Sequence, residues 1–267
     1  MPLILGPGEY HLRGISLPSN TQLVGVRGST RLVVTGGQSL IAARGADHIT
    51  LAGLVIDGGG RPLPEGGALI HLAQCTDIRI VECEVRNSGR HGILLEGVEG
   101  IVSGTTVSKS GDVAIFSRDA RGLVVSGNTV RGAANGGILV HRSSKGEDGT
   151  MVLDNRIEDI ANVSGGSGQY GNAINVFRAA GVIVRGNRIS RAAFSAIRGN
   201  AASNIQISGN TATDVGEVAI YSEFGFEGAI IANNTIDGAA LGIAVVNFNE
   251  GGRLAVVQGN LIRNLKP

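Results

Sequence analysis

The sequence predicts an all-β chain wound as a right-handed parallel β-helix, and three observations carry that prediction. The first is a period. Ile93, Ile115, Ile138, Ile174, Ile197, Ile220 and Ile243 open similar segments at steps of 22, 23, 36, 23, 23 and 23 residues, and a fixed period of this length marks stacked supersecondary units. The second is the content of each unit: a short β-branched run, a turn, a second run, a Gly-Asn turn and a third short run. Gly181-Val182-Ile183-Val184-Arg185-Gly186-Asn187-Arg188-Ile189 repeats the plan of Gly122-Leu123-Val124-Val125-Ser126-Gly127-Asn128-Thr129-Val130. The third is composition. Gly is 43 and Pro 6 of 267 residues, without a triplet period, which favours many tight turns and excludes collagen.

Each element follows from that repeat. In Asn172-Ala173-Ile174-Asn175-Val176-Phe177 the residues alternate, with Ile174 and Val176 on one face and Ala173, Asn175 and Phe177 on the other. Three such strands in 22 to 23 residues cannot pair within one coil. Each pairs with its counterpart in the next coil, giving three short parallel sheets, and parallel crossovers are right-handed. The solenoid holds about ten coils, a rod of about 45 to 50 Å at about 4.8 Å per coil. It reads as a single domain over 1–267, with an opening coil at 1–38 and repeats over 39–267. Asn128, Asn155, Asn187, Asn210, Asn234 and Asn260 hold the same point of their repeats, usually after Gly, and stack into an Asn ladder. Cys83 and Thr105 take that place in earlier coils, so the ladder begins partway along. The irregular spacing marks two loops, 143–149 and 161–171, the second long enough to overhang a face. Both ends lack a polar cap, which points to a fragment of a longer chain or to self-association through uncapped ends.

Charge and composition exclude several classes. Formal net charge is +1 without a long basic block, so no nucleic-acid partner is expected. Apolar residues sit in short alternating runs, so nothing spans a membrane. Cys75 and Cys83 stand eight apart, neither a metal pattern nor a disulfide scaffold. His11, His48, His71 and His91 are scattered without metal spacing, no metal site is signalled, and no cofactor is expected. No charged segment followed by a long apolar stretch opens the chain, so no signal peptide is visible.

Aligning coils on the isoleucine exposes candidate chemistry. One residue before it stand Gly92, Ala114, Gly137, Ala173, Ala196, Ala219 and Gly242, which reads either as a shallow outward trough for an extended chain or as the demand of a tight turn. One residue after it stand Asn175, Arg198 and Tyr221, and two further on His141, Phe177, Asn200 and Glu223. Seven of the nine aromatics fall between Tyr170 and Phe248, and exposed rings there suit sugar stacking, with Phe177 and Tyr221 the foremost candidates. Arg198 and Tyr221 share a column in adjacent coils, about 4.8 Å apart. One reading has Arg198 neutralise a sugar carboxylate and favour the tyrosinate, Tyr221 act as base or acid, and Asn175 or Asn200 hold the enolate-like oxygen. The other is a surface cation stacked on an aromatic ring. Catalytic candidates are therefore Arg198, Tyr221 and Glu223. Substrate-binding candidates are His141, Asn175, Phe177, Arg178 and Asn200. A carboxyl partner for Glu223 could come from Glu217 or Glu227, both in turns.

The stretches 165–178, 194–200, 217–227 and 247–253, with Gln169-Tyr170-Gly171-Asn172-Ala173-Ile174-Asn175-Val176-Phe177-Arg178 at their centre, resemble a family of bacterial twin-arginine-translocated repeat proteins of unassigned function. More loosely, the repeat is similar to the pectin-lyase-like superfamily of polysaccharide lyases, hydrolases and epimerases. The closer resemblance implies export to the periplasm or beyond, although the chain carries no twin-arginine leader. The expected function is polysaccharide binding or processing, of the uronate lyase or epimerase type if catalytic. The alternative is a non-catalytic repeat scaffold of the cell envelope.

Overall fold

The computed structural model describes residues 2–246 and 251–266; the polar turn at Asn247-Phe248-Asn249-Glu250 lies outside them. The described strands form three parallel sheets of 11, 11 and 10 strands. Leu3–Ile4, Gly8–Leu12 and Ile15–Ser16 begin the first, second and third sheets, and each later coil adds one strand to each, except that the last adds to the first two alone among the described residues. Leu3 pairs with Leu23, Gly8 with Thr30 and Ile15 with Ile41. The opening segment is thus already a full coil, and the first two sheets count eleven turns where about ten were expected.

The isoleucine period is the inner column of the third sheet. Ile41, Ile70, Ile93, Ile115, Ile138, Ile174, Ile197, Ile220 and Ile243 pair in unbroken register, and Ile41 through Ile220 in this series are at most 1% exposed. Each buried isoleucine contributes about 2 kcal/mol of transfer free energy, and its stiff branched side chain suits a pleated surface. A charged residue at any of these points would have no partner and no water.

The column of small residues does not form an outward trough. Ala114, Ala173, Ala196 and Ala219 are buried in the core, and a Cβ added at Gly92 would meet the Ala114 carbonyl oxygen and Val107 Cγ1, both at 2.7 Å. These positions line the inside of the corner between the second and third sheets. Side chains there face the opposite wall and the backbone of the next coil, so only hydrogen or methyl fits. The tight-turn reading of these residues is the correct one.

Where the first sheet bends into the second, the Asn ladder forms as the spacing predicts. Asn128, Asn155, Asn187 and Asn210 each donate Nδ2 to the next Asn Oδ1 at 2.9 to 3.0 Å, and Asn234 does the same to Asn260. Each Oδ1 also accepts the backbone N–H of the Asn before it. Thr105 N–H donates to Asn128 Oδ1 and Cys83 N–H to Thr105 Oγ1, so the hydroxyl extends the ladder by one coil where no amide is present. Replacing Asn187 by Ala orphans Asn155 N–H, takes one of the two bonds of Asn155 Nδ2 and removes the bonds to Val152 O and Asn210. We expect a loss of about 3 kcal/mol in urea-unfolding stability, and a clearly smaller loss for Asn260→Ala at the half-exposed end.

Candidate functional site

The extra residues of the 36-residue step enter at two points of one coil. The segment expected as a loop at 143–149 lies largely in a long strand, Gly136–Glu147, because pairing with Asn172–Ala180 resumes at Gly146 and Glu147. Register slips between His141 and Gly146, where residues 142–145 bulge opposite Arg178 alone. The bulge leans over the third sheet: Lys145 Nζ donates to the Gly225 carbonyl, and Arg178 Nη1 donates to the Ser143 carbonyl at 3.2 Å. The second insertion, 161–171, is a true loop. Asn135 pins its start, donating to Ser164 Oγ and accepting from Ser164 N–H, both at 2.9 Å.

Beside the second insertion lies a cleft of about 530 Å³ lined by His141, Ser167, Gly168, Gln169, Asn175, Phe177, Arg198, Asn200, Glu217, Tyr221, Glu223 and Phe224. That volume suits a small organic ligand. The register places His141, Phe177, Asn200 and Glu223 in one column and Asn175, Arg198 and Tyr221 in the adjacent outward column. Every catalytic and substrate-binding candidate named from the sequence except Arg178 therefore lines one cleft. Arg178 sits at its edge, with its guanidinium carbon 4.7 Å from the centre of the Phe177 ring.

The electrostatics differ from the expected arrangement. Arg198 is only 8% exposed. Its Nε and Nη2 each reach Glu223 Oε1 at 2.6 Å, and its Nη1 donates to the Gly168 carbonyl at 2.6 Å. Asn200 Nδ2 adds a further bond to the same carboxylate oxygen at 2.8 Å. The guanidinium is thus held by the protein rather than offered to a substrate carboxylate. Gly168 is required for this clamp: its φ is +128°, and a Cβ there would collide with the Arg198 guanidinium. Asn172 Nδ2 donates to the same carbonyl at 2.8 Å and fixes its direction.

Arg198 also lies over Tyr221, its guanidinium carbon 5.1 Å from the ring centre, so the stacked-cation reading describes their contact. It does not favour the tyrosinate. Burial pushes the Tyr221 hydroxyl above its ordinary value and the Glu223 charge adds to that, against the opposing effect of Arg198. Tyr221 is a proton donor at neutral pH and a poor base. Glu217 is the residue the sequence left open: it lines the cleft, and its Oε2 is buried without a hydrogen-bond partner among the described residues. Burial pushes its carboxyl up, a shift that Arg198 counters and Glu223 reinforces. Glu227, the other candidate partner, is exposed and outside the cleft lining. Ser167, Gly168 and Gln169 form the wall, which the length of the 161–171 loop had signalled without indicating which residues face inward.

One feature of this face had no signal in the spacing. His91, Phe116, His141 and Phe177 make successive edge-to-face contacts, with ring centres 5.5, 5.1 and 5.4 Å apart. The chain of rings runs along the third sheet into the cleft. It joins residues from three different positions of the repeat, which is why a column-by-column reading separates them.

The family description "Right handed beta helix region" matches residues 39–171 and 146–264, which agrees with the hand expected of the crossovers. The chain is 33% identical over 165 residues to the probable ABC transporter binding protein NosD of Pseudomonas aeruginosa. That match covers 58% of this chain and 32% of the relative, so the chain spans about a third of that protein. Among solved structures it is similar to the mannuronan C-5 epimerase AlgE4 A-module of Azotobacter vinelandii, with 16% identity, a TM-score of 0.71 and coverage of 100% and 90% of the two chains. It is also similar to the catalytic unit of a GH87 α-1,3-glucanase from Streptomyces thermodiastaticus, with 14% identity, a TM-score of 0.57 and coverage of 99% and 63%. At these identities the likeness is one of fold.

His141 provides a pH test of the cleft's geometry. Burial, helped by the Arg118 charge, pushes its imidazole down to about 4 from 6.5. Between those values the unfolded chain takes up a proton that the folded one refuses, so stability falls as the pH drops through that window, by up to about 3 kcal/mol. We expect His141→Phe to remove that part of the pH dependence in urea unfolding. In the parent protein, the His141 ring resonances should hold their neutral positions down to about pH 4.

Proposed function

This chain belongs to the right-handed β-helix family, and from that footing we propose that it binds a polysaccharide laid on its third sheet, one sugar residue seated in the cleft against the 161–171 loop. The observation that carries this reading is the convergence in one cleft of two aromatic rings, Phe177 and Tyr221, with amide and carboxyl groups from Asn175, Asn200, Glu217 and Glu223. Rings supply apolar faces for a sugar to stack on, and paired amides and carboxylates supply acceptors and donors for its hydroxyls. The solved structures of similar fold named above, an epimerase of mannuronan and an α-1,3-glucanase, act on polysaccharides and support this choice of ligand. The relative NosD and the resemblance to twin-arginine-translocated proteins support an exported location, where such polymers are found.

A second reading, a lyase or epimerase acting on an acidic polysaccharide, is favoured by the pairing of a protonated Tyr221 with Glu223 two residues on in one strand, Val218–Glu223. In that reading a substrate carboxylate displaces Glu223 from Arg198, Glu223 takes the proton next to the acid group, and Tyr221 donates one to the departing oxygen or to the opposite face. The alternative of a non-catalytic scaffold of the cell envelope needs no ligand in the cleft.

A panel of neutral and uronate-containing polysaccharides separates the three. Binding by the parent chain that is lost in Tyr221→Ala and Phe177→Ala supports the carbohydrate reading. Release of unsaturated or epimerised product, reduced about 10²-fold or more in Tyr221→Phe, identifies the lyase or epimerase. Absence of both binding and turnover across the panel overturns the carbohydrate reading and leaves the scaffold.

A further inference from the structure

The charges of the cleft discriminate among sugars. We propose that the sugar residue seated on the cleft floor is uncharged, recognised through adjacent hydroxyls by the Glu223–Arg198 pair, and that the cleft selects against uronates. This inference rests on the carbohydrate-binding reading above and opposes its lyase or epimerase branch.

The charged residues of the lining are Arg198, Glu217 and Glu223, one cation against two carboxyls. Three of the cation's five N–H groups are already committed within the protein. Nε and Nη2 are bound to Glu223, Nη1 is bound to the Gly168 carbonyl, and the ring of Tyr221 lies against one face of the group. The remaining basic groups at the rim are engaged with protein as well. Arg178 rests on Phe177 and donates to Ser143, and Lys145 donates to Gly225. His141 is no substitute, because it stays neutral down to about pH 4.

A uronate carboxylate placed here would meet Glu223 and Glu217 in a partly desolvated space, where like charges repel far more strongly than in water. To reach Arg198 it would have to expel a buried carboxylate that holds three hydrogen bonds. A hydroxyl faces no such barrier. It can donate to a carboxylate oxygen and accept from an amide N–H, and Asn200 already donates one Nδ2 hydrogen to Glu223. Across the floor, the Asn175 Oδ1 and Glu217 Oε2 atoms are buried acceptors without partners among the described residues. Both can be satisfied by hydroxyl donors, and neither by a carboxylate. The acceptor-rich lining and a cation already paired with Glu223 therefore point to the same ligand class.

The test is calorimetric binding of matched oligosaccharides to the full chain, one series of neutral hexoses and one of the corresponding uronic acids. The neutral series should bind at least about tenfold more tightly, and its affinity should change less than about twofold between about 0.05 and 0.5 M salt. Glu223→Gln keeps the shape and removes the charge, and should narrow the preference by admitting the uronates. Because that variant disturbs a buried pair, Glu217→Gln provides a second reading from a carboxyl that holds no ion pair, and should shift the preference in the same direction. Tighter binding of uronates, with affinity falling as salt rises, overturns the inference while leaving the carbohydrate reading intact. No binding of either series removes both.

Discussion

Everything in this molecule depends on one constraint: every residue must tolerate a copy of its own position about 4.8 Å away in the next coil. For apolar residues the constraint is favourable. The isoleucine column of the third sheet repeats through nearly every coil without a register slip, and each member covers the one before it. For polar residues inside the coil it is severe, because a buried donor must find an acceptor at that spacing or remain unsatisfied. Asparagine meets it because one side chain carries both a donor and an acceptor. Asn187 accepts from Asn155 and donates to Asn210, so the corner is satisfied by repetition alone. Thr105 can continue the chain by one step, and Cys83, whose backbone N–H it satisfies, closes it.

The same constraint explains why the candidate site lies where the repeat fails. An uninterrupted coil offers flat outer sheets with residues in rows. The bulge at 142–145 and the loop at 161–171 both leave the coil of Ile138, one on each side of the third sheet. The loop converts a row into a cleft without disturbing the inner column, since Ile138 still pairs with Ile174. The cleft is assembled from the sheet and the 161–171 loop, and its floor inherits the precision of strand register. Its wall is held by a small number of directed bonds, above all the two that converge on the Gly168 carbonyl.

Much of this site could be read from the sequence because solenoid geometry turns spacing into distance. Asn175, Arg198, Tyr221 and Glu223 come together as counted, and His141 lies in the column of Glu223 as counted. The small residues before each isoleucine show the limit of counting. Alternation alone assigns them outward, but the chain turns a corner at that point, so strict alternation does not hold and they face the core. Glu217 stands just before that corner, and for the same reason its direction could not be fixed from its place in the repeat.

The sequence by itself determined the architecture, the ladder and the strip of surface where polar and aromatic residues gather, because these follow from a period that any reader can measure. Tertiary structure alone decided what those residues do to one another. Arg198 reads as a free cation in the sequence, but two partners far from it in the chain, Glu223 and the carbonyl of Gly168, take three of its N–H groups. Tyr221 reads as a residue activated by that cation, but burial and the neighbouring carboxylate keep its proton on. Charge is a property of a residue, whereas the direction in which a charge is spent depends on which side chains reach it first, and that is set by the loops that break the repeat.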